Sequence, residues 1–553
     1  MVGNARVKLG WWMLVCNLVA GSLGACGAGS TMADELQRTN IVVILADDLG
    51  YSDLGCYGGE IETPVLNQLA REGVQFTQFY NTARCWPTRA ALLTGYYPQQ
   101  IRRDRLAGIP SGNGGRRPGW ASLLPEALRG GGYRTYHSGK WHVDGAPQAG
   151  GFDRSYCLDD HDRFFGPRQH SEDGKKLPVP EADQGYYATT AISDHAIRCL
   201  QEHAAEHSGR PFFSFVAFTA PHFPLQAPQA DIERCRTRYA AGWDRLRDER
   251  WKRMAHLGIP ATGPAPIDRA QGPTYPQEDA LNKLGPEERE RAEPWDELPE
   301  SVRSFQAAKM AIHAAMVERM DAEIGRLIAQ LKAMGEWERT LLVFLSDNGA
   351  SAELMVRGDG HNRELPAGSA GTFLCLGPGW SSLANTPFRK HKTWVHEGGI
   401  STPFVVHWPA GGIACGEPRH TPAHVIDLVP TFLEAAGIEP GGSAERTKAL
   451  GSAPSLPGRS LLPALRGEVE QLHDWLWWEH EGNRAYREGD WKIVAAGEDS
   501  AWELYDLSRD RTELQNLAQS APARVQQMGE AWAAHKERFR ADASRDLPAE
   551  EKK

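Results

Sequence analysis

The chain has no basic block. Its 61 lysines and arginines stand against 71 aspartates and glutamates, a net charge of −10 over 553 residues. A mildly acidic chain of this kind does not neutralise a phosphate backbone, which excludes DNA and RNA as partners. Paired cysteine spacing is absent too. Of nine cysteines, Cys16 and Cys26 fall in the N-terminal segment, and Cys85 stands in a motif of its own. The others, Cys56, Cys157, Cys199, Cys235, Cys375 and Cys415, are scattered. They give neither a zinc pattern nor a disulfide framework, although an exported chain is able to pair some of them. No internal repeat occurs, and the apolar run from Leu9 to Leu23 is too short for a comfortable membrane span.

What the N-terminus does carry is an export signal over residues 1–26. Arg6 and Lys8 form its basic region, and the apolar run holds Trp11, Trp12, Leu14, Val15 and Val19. It closes on Leu23-Gly24-Ala25-Cys26, a bacterial lipobox pattern with Cys26 as the lipidated residue. Gly24 is unusual there, and ordinary cleavage near Ala25 is the alternative. Both readings take the mature protein out of the cytoplasm, to the periplasm or to a lipid anchor on the membrane. Residues 27–38 read as a polar tether.

At roughly 150 residues per domain the length suggests about three or four units, unless one of them is a large α/β domain. Asn40 to Ala46 is a continuous apolar run with β-branched residues, the pattern of a strand buried on both faces of a parallel sheet, and it ends at Asp47-Asp48. A second such run, Leu341 to Ser346, ends at Asp347-Asn348-Gly349. Between them Met316, Met320, Ile324, Leu327 and Leu331 recur at helical spacing before Gly335. The alternation predicts an α/β core over residues 39–440. Within it, the polar stretch 229–300 with Arg245, Arg247, Glu249, Arg250, Lys252 and Arg253 predicts a solvated helical excursion. Residues 441–470, rich in Gly, Ser and Pro, read as a connector. Short strands around Trp477-Trp478, Ala485-Tyr486, Trp491 to Val494 and Leu504 to Leu507, then a helix from about Pro522, predict a small α+β unit over 471–553.

In open parallel sheets ligands bind outside the carboxyl ends of strands, where both acidic pairs fall. Asp47, Asp48, Asp347 and the amide oxygen of Asn348 are hard oxygen donors that suit Ca²⁺ better than a thiolate or imidazole metal. For either pair alone a solvated turn is the plainer explanation. The third feature is Arg84-Cys85-Trp86-Pro87-Thr88-Arg89, running into a helical segment that ends at Gly95. Pro87 fits a first helical turn, where its missing N–H costs nothing, so Cys85 stands at a helix entrance. A reactive or merely buried thiol is the plain alternative, with the helix dipole lowering its pKa.

The Cys85-x-Pro87-x-Arg89 core resembles the sulfatase signature, and further segments resemble sulfatase motifs in the family's order. They are Gly139-Lys140-Trp141-His142, Ala220-Pro221-His222-Phe223-Pro224, Ser346 to Gly349, Asn385 to Lys392, and Glu397-Gly398-Gly399-Ile400. The resemblance covers about residues 39–520. It implies an alkaline phosphatase-like fold, a large and mostly parallel mixed sheet sandwiched by helices, with a smaller C-terminal α+β subdomain. It also implies a formylglycine-dependent arylsulfatase-type hydrolase in which Cys85 is oxidised to formylglycine by a formylglycine-generating or sulfatase-maturating enzyme. One Ca²⁺ would be held by Asp47, Asp48, Asp347, Asn348 and residue 85. By the same resemblance Arg89 and Lys140 hold the hydrated aldehyde, Lys140, His222 and Lys392 bind the sulfate, His222 protonates the departing oxygen, and His142 takes the proton that lets sulfate leave.

Two departures from the family pattern stand beside the nucleophile, Trp86 in place of a small residue and Thr88 where Ser is commoner. Ser401 and Thr402 replace the frequent Arg-Val after Glu-Gly-Gly-Ile. The segment Leu158 to Arg163 matches no recognised pattern and reads as a surface loop, with a part in choosing the substrate as the alternative. Trp478 to Asn483 is the candidate for a substrate-side contribution from the C-terminal unit. Two rival readings remain. A phosphodiesterase or phosphatase of the same superfamily needs a second metal and typically reads Asp-His where this chain has Asp347-Asn348. A non-catalytic binder of sulfated glycans requires only that Cys85 stay unmatured. The substrate is a sulfated small molecule or glycan; its leaving group and the oligomeric state are not legible.

Overall fold

The computed structural model describes residues 38–547, apart from 182–184, 260–262, 271, 273–276, 358–359 and 440–452. The export signal with Cys26, nearly all of the tether and the first part of the connector lie outside the described residues.

Residues Asn40–Ala46 form β1, in the middle of a ten-stranded sheet. Its neighbours are β7 (Phe212–Ala217) and β8 (Thr340–Ser346), both parallel to it. On the β7 side follow β3 (Arg134–Gly139) and β4 (Arg154–Leu158), also parallel, and then the short antiparallel β5 (His170–Glu172) and β6 (Lys175–Lys176). On the β8 side β9 (Ser401–His407) runs antiparallel, followed by β2 (Val74–Tyr80) and β10 (Ala423–His424). Every residue of β1, β7 and β8 is buried. That explains the unbroken apolar runs, since alternate side chains must enter separate cores on the two faces. Val42, Ile44 and Ala46 share one core with the helix Glu300–Ala333, whose Met316, Met320, Ile324, Leu327 and Leu331 are all buried. Ile41, Val43 and Leu45 enter the other, with Phe213, Phe215, Leu341, Val343 and Leu345.

The C-terminal unit is a separate four-stranded antiparallel sheet, β11 (Trp475–His480), β12 (Asn483–Glu488), β13 (Trp491–Ala495) and β14 (Glu503–Asp506), with the helix Pro522–Ala543 against it. The fold is the predicted one. The stretch 229–300 differs from its prediction. Its central helix, Gly242–His256, buries Trp243, Leu246, Arg247, Arg250 and Met254 along one face. Arg250 pairs with Asp53 and Glu60 at 2.8 Å each, and Arg247 donates to the carbonyls of Ala265, Pro387 and Phe388. Two arginines on the inward face made an amphipathic helix read as solvated throughout. Part of the connector is also core: Leu461, Leu462, Ala464 and Leu465 are buried. All seven described cysteines are unpaired, and no described helix is long and apolar enough to cross a membrane.

Candidate active site

Four neighbouring parallel strands deliver the site. Ala46 pairs with Ser346 and Gly139 with Ala217, so β8, β1, β7 and β3 end at one edge of the sheet. Just past those ends come Asp347-Asn348, Asp47-Asp48, His222 and Lys140 with His142. Antiparallel β9 begins at the same edge, which brings the loop holding Lys392 there, and β2 ends there ahead of Cys85. Two glycines permit the close approaches. A Cβ on Gly139 would lie 2.0 Å from the Ala217 carbonyl oxygen, and one on Gly349 would lie 2.0 Å from that of Gly398.

Cys85 is the first residue of the helix Cys85–Thr94, which closes on left-handed Gly95. Thr88 accepts the Thr82 N–H at 3.1 Å and pins the turn before it. The helix start does not make this a reactive thiol. Burial pushes the Cys85 pKa up, and the opposing charges of Lys140 and Lys392 do not reverse it.

The carboxylates and cations interlock. Arg89 gives Nε and Nη2 to Asp347 Oδ2 at 3.0 and 2.8 Å, and Nη1 to the Lys140 carbonyl at 2.9 Å. Lys140 Nζ lies 2.5 Å from Asp47 Oδ2, and Lys392 Nζ lies 2.9 Å from Asp48 Oδ2 and 3.3 Å from Glu353 Oε2. Asn348 Nδ2 donates to Asp48 Oδ1 at 2.6 Å. Burial raises Asp47, yet Lys140, His222, Arg89 and Lys392 together hold it well below the usual carboxylate range. Asp347 is raised, by burial and then by the Asp47 charge. Burial opposes the Lys392 charge, but Asp48 and Glu353 outweigh it and raise that pKa.

Imidazoles stand beside the carboxylates. His222 Nδ1 donates to the Phe223 carbonyl at 2.6 Å, leaving Nε2 directed at Asp48 Oδ2, 3.8 Å away. Burial, then Lys140 and Arg89, lower His142 to about 2, so it is a neutral acceptor at neutral pH. Its ring meets Trp86 at 5.9 Å, and Trp86 meets His480 of β11 at 5.4 Å. The predicted residues therefore converge. The sequence reading missed Glu353 and Arg84, which pair with each other. The Leu158–Arg163 segment, read as a surface loop with a part in substrate choice as the alternative, leaves β4 as a partly exposed loop, and its His161 stands between His142 and His222.

A family model described as Sulfatase matches residues 39–438. The chain belongs to the sulfatase family. It is a sulfuric ester hydrolase, and a second model, N-sulphoglucosamine sulphohydrolase, C-terminal, matches residues 388–531. It is 32% identical to an uncharacterized sulfatase of Schizosaccharomyces pombe, covering 90% of this chain and 93% of that one. It is also 32% identical to the arylsulfatase of Klebsiella aerogenes, covering 78% and 92%. A structure solved in complex with its substrate D-glucosamine-2-N,6-O-disulfate shares the fold, with a TM-score of 0.60, 22% identity, and coverage of 92% and 100%.

Proposed function

We propose that this sulfatase hydrolyses sulfate monoesters of sugars or phenols at residue 85 after Cys85 is oxidised to formylglycine, with one Ca²⁺ beside it. The observation that carries the reading is the pair of buried oxygens, Asp47 Oδ1 and Asn348 Oδ1, which have no hydrogen-bond partner among the described residues. Both only accept, both belong to the all-oxygen set Asp47, Asp48, Asp347 and Asn348, and Asp347 is raised by burial and then by the Asp47 charge. A hard cation fits that set. When bound it supplies positive charge against the carboxylates, and formylglycine, as its hydrate, supplies an oxygen nucleophile that a buried, protonated thiol does not.

The chain's own residues then divide the work. Lys140 and Lys392, each fixed by a carboxylate, set two positive charges where a sulfuryl group gathers negative charge. His222, with Nδ1–H committed to a carbonyl, must carry a second proton on Nε2 as the imidazolium to protonate the departing oxygen, and is left neutral when it does. His142 accepts a proton. Export to the periplasm or to a lipid anchor at Cys26, and maturation by a partner enzyme, belong to the same proposal. Co-expression with a formylglycine-generating enzyme should raise turnover of 4-nitrophenyl sulfate; an equally active preparation without conversion of Cys85 would sink the reading.

A further inference from the structure

We propose that His161 reads the alcohol part of the substrate, accepting a hydrogen bond from a hydroxyl of a carbohydrate leaving group. This rests on the sulfatase reading and names the substrate side of that site. β4 pairs with β3 through Gly139 and Cys157, so the loop after β4 leaves at the same edge as Lys140 and His142. The His161 ring lies 5.6 Å from that of His142 and 5.3 Å from that of His222. It is thus flanked by both groups to which the mechanism assigns proton transfer.

Its hydrogen bonding leaves one atom to use. Nδ1 lies 3.1 Å from the Asp159 carbonyl, which only accepts, so Nδ1 carries the hydrogen and Nε2 is the acceptor. Nε2 faces Asp162 Oδ1 at 3.7 Å, and that oxygen, buried, has no hydrogen-bond partner among the described residues. His222 Nδ1 is 3.8 Å from the same oxygen but gives its N–H to Phe223. Asp162 Oδ2 is anchored by Arg357 at 2.9 Å. His161 Nε2 is therefore an acceptor that no N–H beside it fills among the described residues, and a ligand with a polar hydrogen completes it. The side chain of His161 is 22% exposed, so a ligand reaches it. A sugar carries hydroxyls beside its ester oxygen; an unsubstituted phenol carries none. Acceptors left unpaired in a desolvated site penalise the ligand that lacks the donor.

The test compares kcat/KM of the matured enzyme on 4-nitrophenyl sulfate and on hexoses and N-acetylhexosamines monosulfated at each position. His161→Phe should lose roughly 10- to 100-fold on the best sugar sulfate and less than about threefold on 4-nitrophenyl sulfate. His161→Gln, which keeps an acceptor, should recover part of the loss. Aryl turnover by each variant shows that its site is folded. Parallel losses on both substrates, or unchanged sugar turnover, would overturn the proposal. So would a parent enzyme that hydrolyses the aryl ester and no sugar sulfate, a result that leaves the sulfatase reading standing.

Discussion

Arg89 places two hydrogen bonds on a single oxygen of Asp347, at 3.0 and 2.8 Å, with both side chains fully buried. The helix that begins at Cys85 is thereby tied to the end of β8, so Cys85 and the Asp347-Asn348 pair are fixed to one another.

Arg89→Lys keeps the charge but not the fork. Because a buried pair broken on one side costs about 3–5 kcal/mol, Arg89→Ala should lose that much stability and Arg89→Lys less. Urea denaturation decides it, and a loss under about 1 kcal/mol for Arg89→Ala would contradict the tie.

A second buried pair joins the small sheet to the loop before β9. Lys492 of β13 lies 2.9 Å from Glu397 and 2.8 Å from Glu513, with no exposure. Lys492→Met removes the cation shared by Glu397 and Glu513 and leaves Arg511, 3.3 Å from Glu397, as the remaining partner, and a loss of about 3–5 kcal/mol is again expected in thermal unfolding. An unchanged midpoint would mean that the Lys492 contacts do not help to hold the small sheet.

Asp53 gives the acid-stability prediction. Burial raises it, but His313 and Arg250 outweigh that and lower it from 3.8 to about 2. The unfolded state then binds more protons, so this stabilisation, about 2 kcal/mol, is full above about pH 4 and is lost as pH falls towards about 2. Asp53→Asn should flatten that part of the stability curve. A parallel curve, merely displaced, would contradict the assignment.

Chelation should abolish turnover and lower the unfolding temperature, and Ca²⁺ should restore both. Since Asp347 is raised, protons compete with the cation, and calorimetry should find weaker Ca²⁺ binding at about pH 5.5 than at about pH 7.5. Restoration by Zn²⁺ alone, or two cations bound per chain, would favour the phosphodiesterase reading.

The buried strands, the long helix and the oxygen donors were legible because each has a local signature: an unbroken apolar run, a helical period, an acidic pair at a strand end. Arg247 and Arg250 were not. Inward-facing charge looks like solvated charge until its partners arrive, and those of Arg250, Asp53 and Glu60, come from 197 and 190 positions away. Glu353 was missed, and His161 was left between a surface loop and a part in substrate choice, for a related reason. Their role is set by which strand ends lie side by side, and the sheet order is not written in any one segment. Arg84 did offer a signal, its place next to Cys85.

The formylglycine mechanism stands or falls on peptide mass spectrometry of residue 85, paired with turnover of the same preparation. Specific activity should rise in proportion to the fraction of Cys85 converted to formylglycine, and Cys85→Ala should have none. Full sulfate-ester turnover by protein whose residue 85 is entirely the unmodified thiol would contradict it.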